Sequence, residues 1–169
     1  MEARPPIKIH ILHCGTVSVS PSVPEGGLSL GGALGGVFCP ESRRVTLPVS
    51  CYLIEHPAGR VLVDTGISRD ISPDGVFDRK AANRILPSYV AGFFRPSFEN
   101  GCSAGERLEG LGIAPEDLDI VLLTHLDPDH TAGLRSLRNA KRRLMPQEEF
   151  FWSCRTVFRV RQPWNLWVD

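Results

Sequence analysis

The sequence predicts an α/β protein, α+β by some schemes, and three stretches carry that expectation. Residues 48–66, PVSCYLIEHPAGRVLVDTG, hold two β-rich runs, CYLIE and RVLVD, joined by His-Pro-Ala-Gly, the pattern of a hairpin with a glycine-bearing turn. Residues 119–124, DIVLLT, form an unbroken apolar run, the mark of a strand buried on both faces of an α/β sheet. Between them, Ser103-Ala104-Gly105-Glu106 is a capping box, with a hydroxyl at the N-cap and a carboxylate three residues on.

The remaining elements follow in chain order. Ile7-Lys8-Ile9-His10-Ile11 alternates as a strand, with the isoleucines on one face and Lys8 and His10 on the other, and His10 is expected to be a surface residue of that strand. Residues 25–36, EGGLSLGGALGG, are too glycine-rich for regular structure and lack the G-K-[ST] ending of a phosphate loop, so a mobile loop is expected, one that would suit a flap. Asp64 closes the second hairpin strand. A carboxylate at the end of a buried strand needs hydrogen bonds, so it either caps the Thr65-Gly66 turn or braces a neighbouring site. Residues 67–102 read as irregular, and Phe93, Phe94 and Phe98 among them either cover the core or line a pocket, core cover being the favoured reading. The capped helix ends at Gly110 or Gly112, Pro115-Glu116-Asp117 begins a turn, and a helix starts at Asp129 with Leu134 and Leu137 on one side.

Composition narrows the function. Of 169 residues, 42% are hydrophobic and 22% charged, enough for a compact domain with a sizeable core. Lys plus Arg equals Asp plus Glu at 19 each, so no overall field draws the chain to nucleic acid or an anionic membrane. The cluster Arg135, Arg138, Lys141, Arg142 and Arg143 reads as the solvated face of a helix and its exit turn. Five scattered cysteines without a C-x-x-C pair fit neither a disulfide framework nor a zinc ribbon, and read as reduced, mostly buried thiols. With no signal peptide and no membrane-spanning window, a cytoplasmic protein is expected.

The chemistry is concentrated in THLDPDHTAGL, residues 124–134. His125, Asp127, Asp129 and His130 crowd the turn between a buried strand and a helix, the place where α/β sheets bind ligands. Imidazole and carboxylate donors suit zinc, manganese or iron, and no thiolate is near to favour a structural zinc. The helix dipole also favours a carboxylate at Asp129. In the competing reading Asp127 and Asp129 are merely N-caps and the histidines incidental. Four such side chains within six positions favour the metal.

Asp64-Thr65-Gly66 after a hairpin, Leu-Gly-Ile-x-Pro-Glu-Asp at 111–117, and T-H-x-D-x-D-H-x-x-G together resemble the amino-terminal half of the metallo-β-lactamase superfamily, over residues 7 to 167. The spacing is most similar to the N-acyl homoserine lactonase-like metallohydrolases. The resemblance implies an αββα sandwich, of which residues 1–169 would be a single, truncated domain. It implies two zinc ions, with manganese or iron as alternatives: His125 and Asp127 on the first, Asp129 and His130 on the second, Asp129 as the catalytic residue, and Asp64 bracing the metal loop from behind. It further implies hydrolysis of a small-molecule lactone or ester, a metal-bound hydroxide attacking the carbonyl carbon. Substrate-binding residues are not legible.

Two departures from the family pattern stand out. Asp127 occupies the place of the second histidine of H-x-H-x-D-H. A carboxylate oxygen lies two bonds from Cβ, as does the Nδ1 it replaces, so the change reads as a ligand exchange that adds negative charge and favours harder metals. The family's remaining ligands come from a carboxyl-terminal half, whereas here no histidine follows His130 and the only later aspartate is Asp169. One half of the sandwich would leave a sheet face unpacked, which implies either a truncated form or pairing with a second copy in a homodimer. Two alternatives to a lactonase follow: a non-catalytic metal-binding or interaction module, and another hydrolase of thioesterase or glyoxalase II type. A nuclease is disfavoured by the balanced charge.

Overall fold

The computed structural model describes residues 6–21, 39–86, 95–97 and 102–155. Six strands among them form one mixed sheet: β1 (Lys8–Val19), β2 (Val45–His56), β3 (Gly59–Val63), β4 (Arg95–Ser97), β5 (Ile120–Leu122) and β6 (Arg143–Leu144), in the order β4-β1-β2-β3-β5-β6. The helices are α1 (Arg79–Ile85), α2 (Ala104–Gly110), α3 (Pro128–Thr131) and α4 (Gln147–Arg155), with 3₁₀ turns at Glu41–Arg43, Pro115–Asp117 and Ala132–Leu137.

The hairpin forms as the turn chemistry predicts. β2 and β3 pair antiparallel from Tyr52 opposite Val63 to His56 opposite Gly59, leaving Pro57 and Ala58 at the turn. β1 extends well past Ile11 to Val19, with its register against β2 shifting between His13 and Thr16 where Gly15 takes a φ of 102°. β5 then returns parallel to β3, Val63 opposite Leu122, and β6 adds parallel to β5. Parallel pairing brings the carboxyl ends of β3 and β5 together, so Asp64 lies beside the start of the 124–130 loop.

One face of the sheet is packed. Leu12, Cys51, Leu53, Leu62 and Val121 point into a core closed by Leu108 of α2 and by Leu134 and Leu137 of the 3₁₀ turn. The other face carries Ile9, Ile11, Tyr52, Leu122 and Leu144, all exposed, with Ile9 at 65% and Ile11 at 59%. The predicted alternation in β1 is present, and its isoleucine side is the open one. The expectation that 119–124 is buried on both faces is overturned: Val121 and Leu123 are buried on one face, while Leu122 on the other is 36% exposed, because nothing among the described residues covers that side.

Other expectations divide. The Ser103 capping box is present, Glu106 N–H donating to Ser103 Oγ and Ser103 N–H to Glu106 Oε2 at 3.0 Å. Gly112, at φ 70°, follows the helix it helps to end. Reading 67–102 as wholly irregular missed α1, whose N-cap Asp78 accepts from Lys80 and Ala81 N–H, and the short edge strand β4. The helix expected from Asp129 is one α-turn that tightens into 3₁₀ form. Gly133 explains the tightening: a Cβ there would stand 2.0 Å from the Thr65 carbonyl oxygen, so the segment is pressed against the loop after β3, with Gly133 N–H donating to Gly66 O at 3.0 Å. The basic cluster Arg135, Arg138, Lys141, Arg142 and Arg143 is exposed as expected. Cys14 and Cys51 are buried free thiols, Cys39 and Cys102 partly buried ones. The glycine-rich loop 25–36, Phe93, Phe94, Phe98 and the chain after 155 lie outside the described residues.

Candidate functional site

Asp64 is the pivot of the site. It is 5% exposed and has a φ of 61°, a left-handed conformation that aspartate tolerates better than most residues and that marks a position held by its surroundings. Its N–H donates to Leu122 O at 2.8 Å, tying β3 to β5. Its carboxylate does not cap the Thr65-Gly66 turn. Oδ1 accepts from Thr124 N–H at 2.8 Å, Thr124 Oγ1–H lies 2.8 Å from Oδ2 and 3.0 Å from Oδ1, and Oδ2 lies 2.8 Å from His130 Nδ1. Thr65 completes the tie, its N–H and its hydroxyl both donating to His130 O at 2.8 and 2.9 Å.

Electrostatics follow from these contacts. Burial pushes the Asp64 pKa up, but hydrogen bonds from His130 and Thr124 and the charge of His130 outweigh it and hold the carboxyl below its ordinary value. Burial likewise pulls His130 down, yet Asp129 and Asp64, by hydrogen bonding and by charge, raise it to about 10. The ring is therefore a cation at neutral pH when no metal competes for its nitrogen.

The four motif residues stand as two pairs. His125 Nε2 is 3.3 Å from Asp127 Oδ2, and His130 Nε2 is 3.5 Å from Asp129 Oδ2, while the two imidazole rings lie with centroids 3.9 Å apart. Asp127 occupies the N-cap position of α3, but its side chain makes no cap hydrogen bond, so capping does not account for it. Asp129 Oδ1 is buried with no hydrogen-bond partner, a costly state for a carboxylate oxygen unless something else engages it. Among the described residues, no three His, Cys, Asp or Glu side chains are gathered closely enough to hold an ion together. The donor chemistry and the orphaned oxygen nevertheless fit a metal, held by pairs that further donors would complete. A small apolar cleft bordered by Val17, Ile67, Ile71 and Leu86 abuts Asp129 and Pro128.

The other three histidines are engaged elsewhere: His10 pairs with Glu55 at 2.8 Å, His13 with Ser50 at 3.1 Å, and His56 Nδ1 accepts from Ala58 N–H at 3.0 Å. Sequence reasoning assigned no part to Thr124, although it bonds Asp64 and lies 3.0 Å from His125 Nδ1. The available signal was a hydroxyl residue directly preceding the first histidine.

The chain is similar in sequence and in fold to several known proteins. The chain is 34% identical over 110 residues to the N-acyl homoserine lactonase AiiB of Agrobacterium fabrum, covering 65% of this chain and 36% of the relative. Against a probable metallo-hydrolase of Mycobacterium tuberculosis it is 30% identical over 137 residues, covering 80% and 34%. The chain thus spans about a third of the length of the curated relatives it matches. Among solved structures, an N-acyl homoserine lactone hydrolase with N-hexanoyl-L-homoserine at its catalytic metal centre superposes with a TM-score of 0.69 at 21% identity, over 96% of this chain and 56% of that one. AidC, a dizinc quorum-quenching lactonase, gives 0.52 at 18% identity, over 91% and 46%. These likenesses establish the same fold, a metallo-β-lactamase α/β architecture of which this chain matches about half. The family model for the metallo-beta-lactamase superfamily matches residues 44–142, from the hairpin through His125 and His130 to the exit of the 3₁₀ turn, and the chain belongs to that superfamily.

Proposed function

We propose that this chain carries one half of the active site of a metal-dependent hydrolase that opens lactone or ester bonds, with N-acyl homoserine lactones as the leading substrate class. The observation that carries the reading is the double pairing at the tip of β5. His125 with Asp127 and His130 with Asp129 would hold two ions, zinc first and manganese or iron as alternatives, while Asp64 would brace the metal loop from behind through His130 and Thr124. Metal ions there would supply the Lewis acidity that activates water and polarises a carbonyl. Asp129 is the catalytic residue of this proposal: its buried, unengaged Oδ1 would take up the proton of the attacking water. Overall, a lactone and one water give the open hydroxy acid. A cytoplasmic location is supported by four free thiols among the described residues; no described helix is long and apolar enough to cross a membrane. No nucleic-acid or membrane partner is proposed, and the open sheet face supports a homodimer as one way of covering it.

A second reading, a non-catalytic metal-binding or interaction module, is favoured by the absence of a three-ligand group among the described residues. Elemental analysis beside light scattering separates the two. About two metals per chain or per dimer, with hydrolysis in a lactone, ester and thioester screen, supports the enzyme; at most one metal and no turnover supports the module. His125→Ala and His130→Ala should each lower metal content, and retention unchanged in both would dismiss the site. Cys14→Ser should leave metal content unaltered, because no thiol lies among the proposed donors.

A further inference from the structure

Cys14 and Cys51 take no part in the chemistry above, yet they are neighbours beneath the loop that carries Asp64. Leu12 of β1 stands directly opposite Cys51 of β2, and Cys14, two residues on from Leu12, shares its face. Both thiols are free and fully buried. Each is the other's hydrogen-bond partner, and Cys14 Sγ also lies 3.3 Å from Leu12 O. Gly66 covers them: a Cβ there would stand 2.8 Å from Cys14 Cβ, 3.3 Å from Cys51 Sγ and 3.4 Å from Cys14 Sγ, so one point of the loop backbone packs on both side chains. Gly66 is two residues from Asp64, and its carbonyl accepts from Gly133 N–H at 3.0 Å.

The two sulfurs are unequal. The hydrogen bond from the Cys51 thiol, helped by the Cys51 backbone and the charge of Arg107 on α2, holds the Cys14 thiol below its ordinary pKa against the opposing effect of burial. The same side-chain hydrogen bond, together with burial, pushes Cys51 well above it. Cys14 is thus the nucleophile of the pair. Enclosure of both sulfurs selects a small oxidant.

We propose that Cys14 and Cys51 form a redox switch: hydrogen peroxide closes them into a disulfide, and Gly66 carries the closure to the Asp64 loop. The Cys14 thiolate attacks one peroxide oxygen, forming an S–O bond and breaking the O–O bond, and the released hydroxide takes up the thiol proton as water. Cys51 then gives up its proton and attacks the Cys14 sulfur, forming the S–S bond and expelling hydroxide, which leaves as a second water. Two thiols are oxidised and one peroxide is reduced. Diagonal neighbours on a regular ladder stand about 7–8 Å apart, whereas the Cα atoms of a disulfide are about 4.4–6.8 Å apart. Closure therefore draws β1 and β2 together beside the bulge where their register already shifts between His13 and Thr16. The Gly66 backbone moves with them.

The inference is independent of the metal reading, and its test uses the metal-free full chain. Cys39→Ser, Cys102→Ser and Cys154→Ser combined leave Cys14 and Cys51 as the only thiols. Treated with hydrogen peroxide while folded, this chain should lose both thiols, yield a Cys14 peptide linked to a Cys51 peptide, and recover both thiols with dithiothreitol. The unsubstituted chain, mapped by tandem mass spectrometry, serves if the triple variant does not fold. Retention of both thiols, or oxidation to sulfinic acid without a link, overturns the proposal. Adding Cys51→Ala should stop the reaction at a Cys14 sulfenic acid that dimedone traps; trapping on Cys51 in the matching Cys14→Ala chain, with none on Cys14, overturns the assigned order. Amide ¹H–¹⁵N spectra report the coupling: the Thr65, Gly66 and Gly133 signals should shift on oxidation and return with dithiothreitol. A linked chain in which those signals stay in place overturns the switch.

Discussion

The two faces of the central sheet are built from the same kind of residue and meet opposite fates. On one, Leu53, Leu62 and Val121 are fully buried; on the other, Ile9 and Ile11, in the neighbouring register, are more than half exposed. Adjacent residues on one strand therefore differ in environment although their hydrophobicity is alike. Apolar character states that a side chain would gain from burial, at about 25 cal/mol per Å² of area removed from water; whether it is buried depends on whether an element lies over it. The candidate site belongs to the packed side, where α3 and the following 3₁₀ turn are pressed onto the loop after β3.

That contrast can be broken or sharpened by experiment. The largest effect is expected from Leu62→Ala, which empties a fully buried position and should cost about 2–5 kcal/mol in denaturant unfolding. Gly133→Ala comes next. Its Cβ would meet the Thr65 carbonyl oxygen at 2.0 Å, so the loop under the site must shift, at about 1–3 kcal/mol, and metal uptake should fall with it. On the open side, Ile9→Thr should change stability by only about 0.5 kcal/mol. A cost matching that of Leu62→Ala would mean that another surface covers Ile9 in solution. Smallest of all, Arg138→Gln on the exposed basic cluster should leave stability and metal content within error.

The pH dependence addresses the packed side alone. The folded pKa of His130 is raised to about 10, so its pairing with Asp64 and Asp129 stabilises the metal-free fold fully below the unfolded value near 6.5 and is lost as pH rises through about 10. Asp64, whose folded pKa is depressed, contributes above its unfolded value and ceases to do so as pH falls through the folded one. Melting temperature against pH should therefore fall on the alkaline side in the wild type and be flatter there in His130→Gln. Because a metal must displace a proton from His130 Nε2, apparent metal affinity should rise with pH between about 6 and 9.

Local signals were legible where the physics is local. Ser103 and Glu106 cap a helix by reaching three residues, and the His-Pro-Ala-Gly turn pairs strands that are already neighbours, so both appear in the structure as read. The helix at Arg79–Ile85 was missed although Asp78 caps it, because the surrounding Pro and Gly residues dominated the reading of 67–102. Asp64 was identified as a carboxylate needing partners, and its partners, Thr124 and His130, lie 60 and 66 residues away. Thr124 itself passed without a role. A threonine before a histidine is unremarkable until a parallel strand pairing places Asp64 beneath it.

By itself the sequence determined the α/β class, the hairpin, the capped helix and the crowding of His125, Asp127, Asp129 and His130 into one turn, because each depends on interactions that span a few residues. Only the tertiary structure decided which sheet face is packed and that Thr124 and His130 are the partners of the buried Asp64 carboxylate. Those depend on β5 lying parallel to β3, a contact whose closing entropy is repaid by core burial across the whole sheet and by no short stretch of the chain.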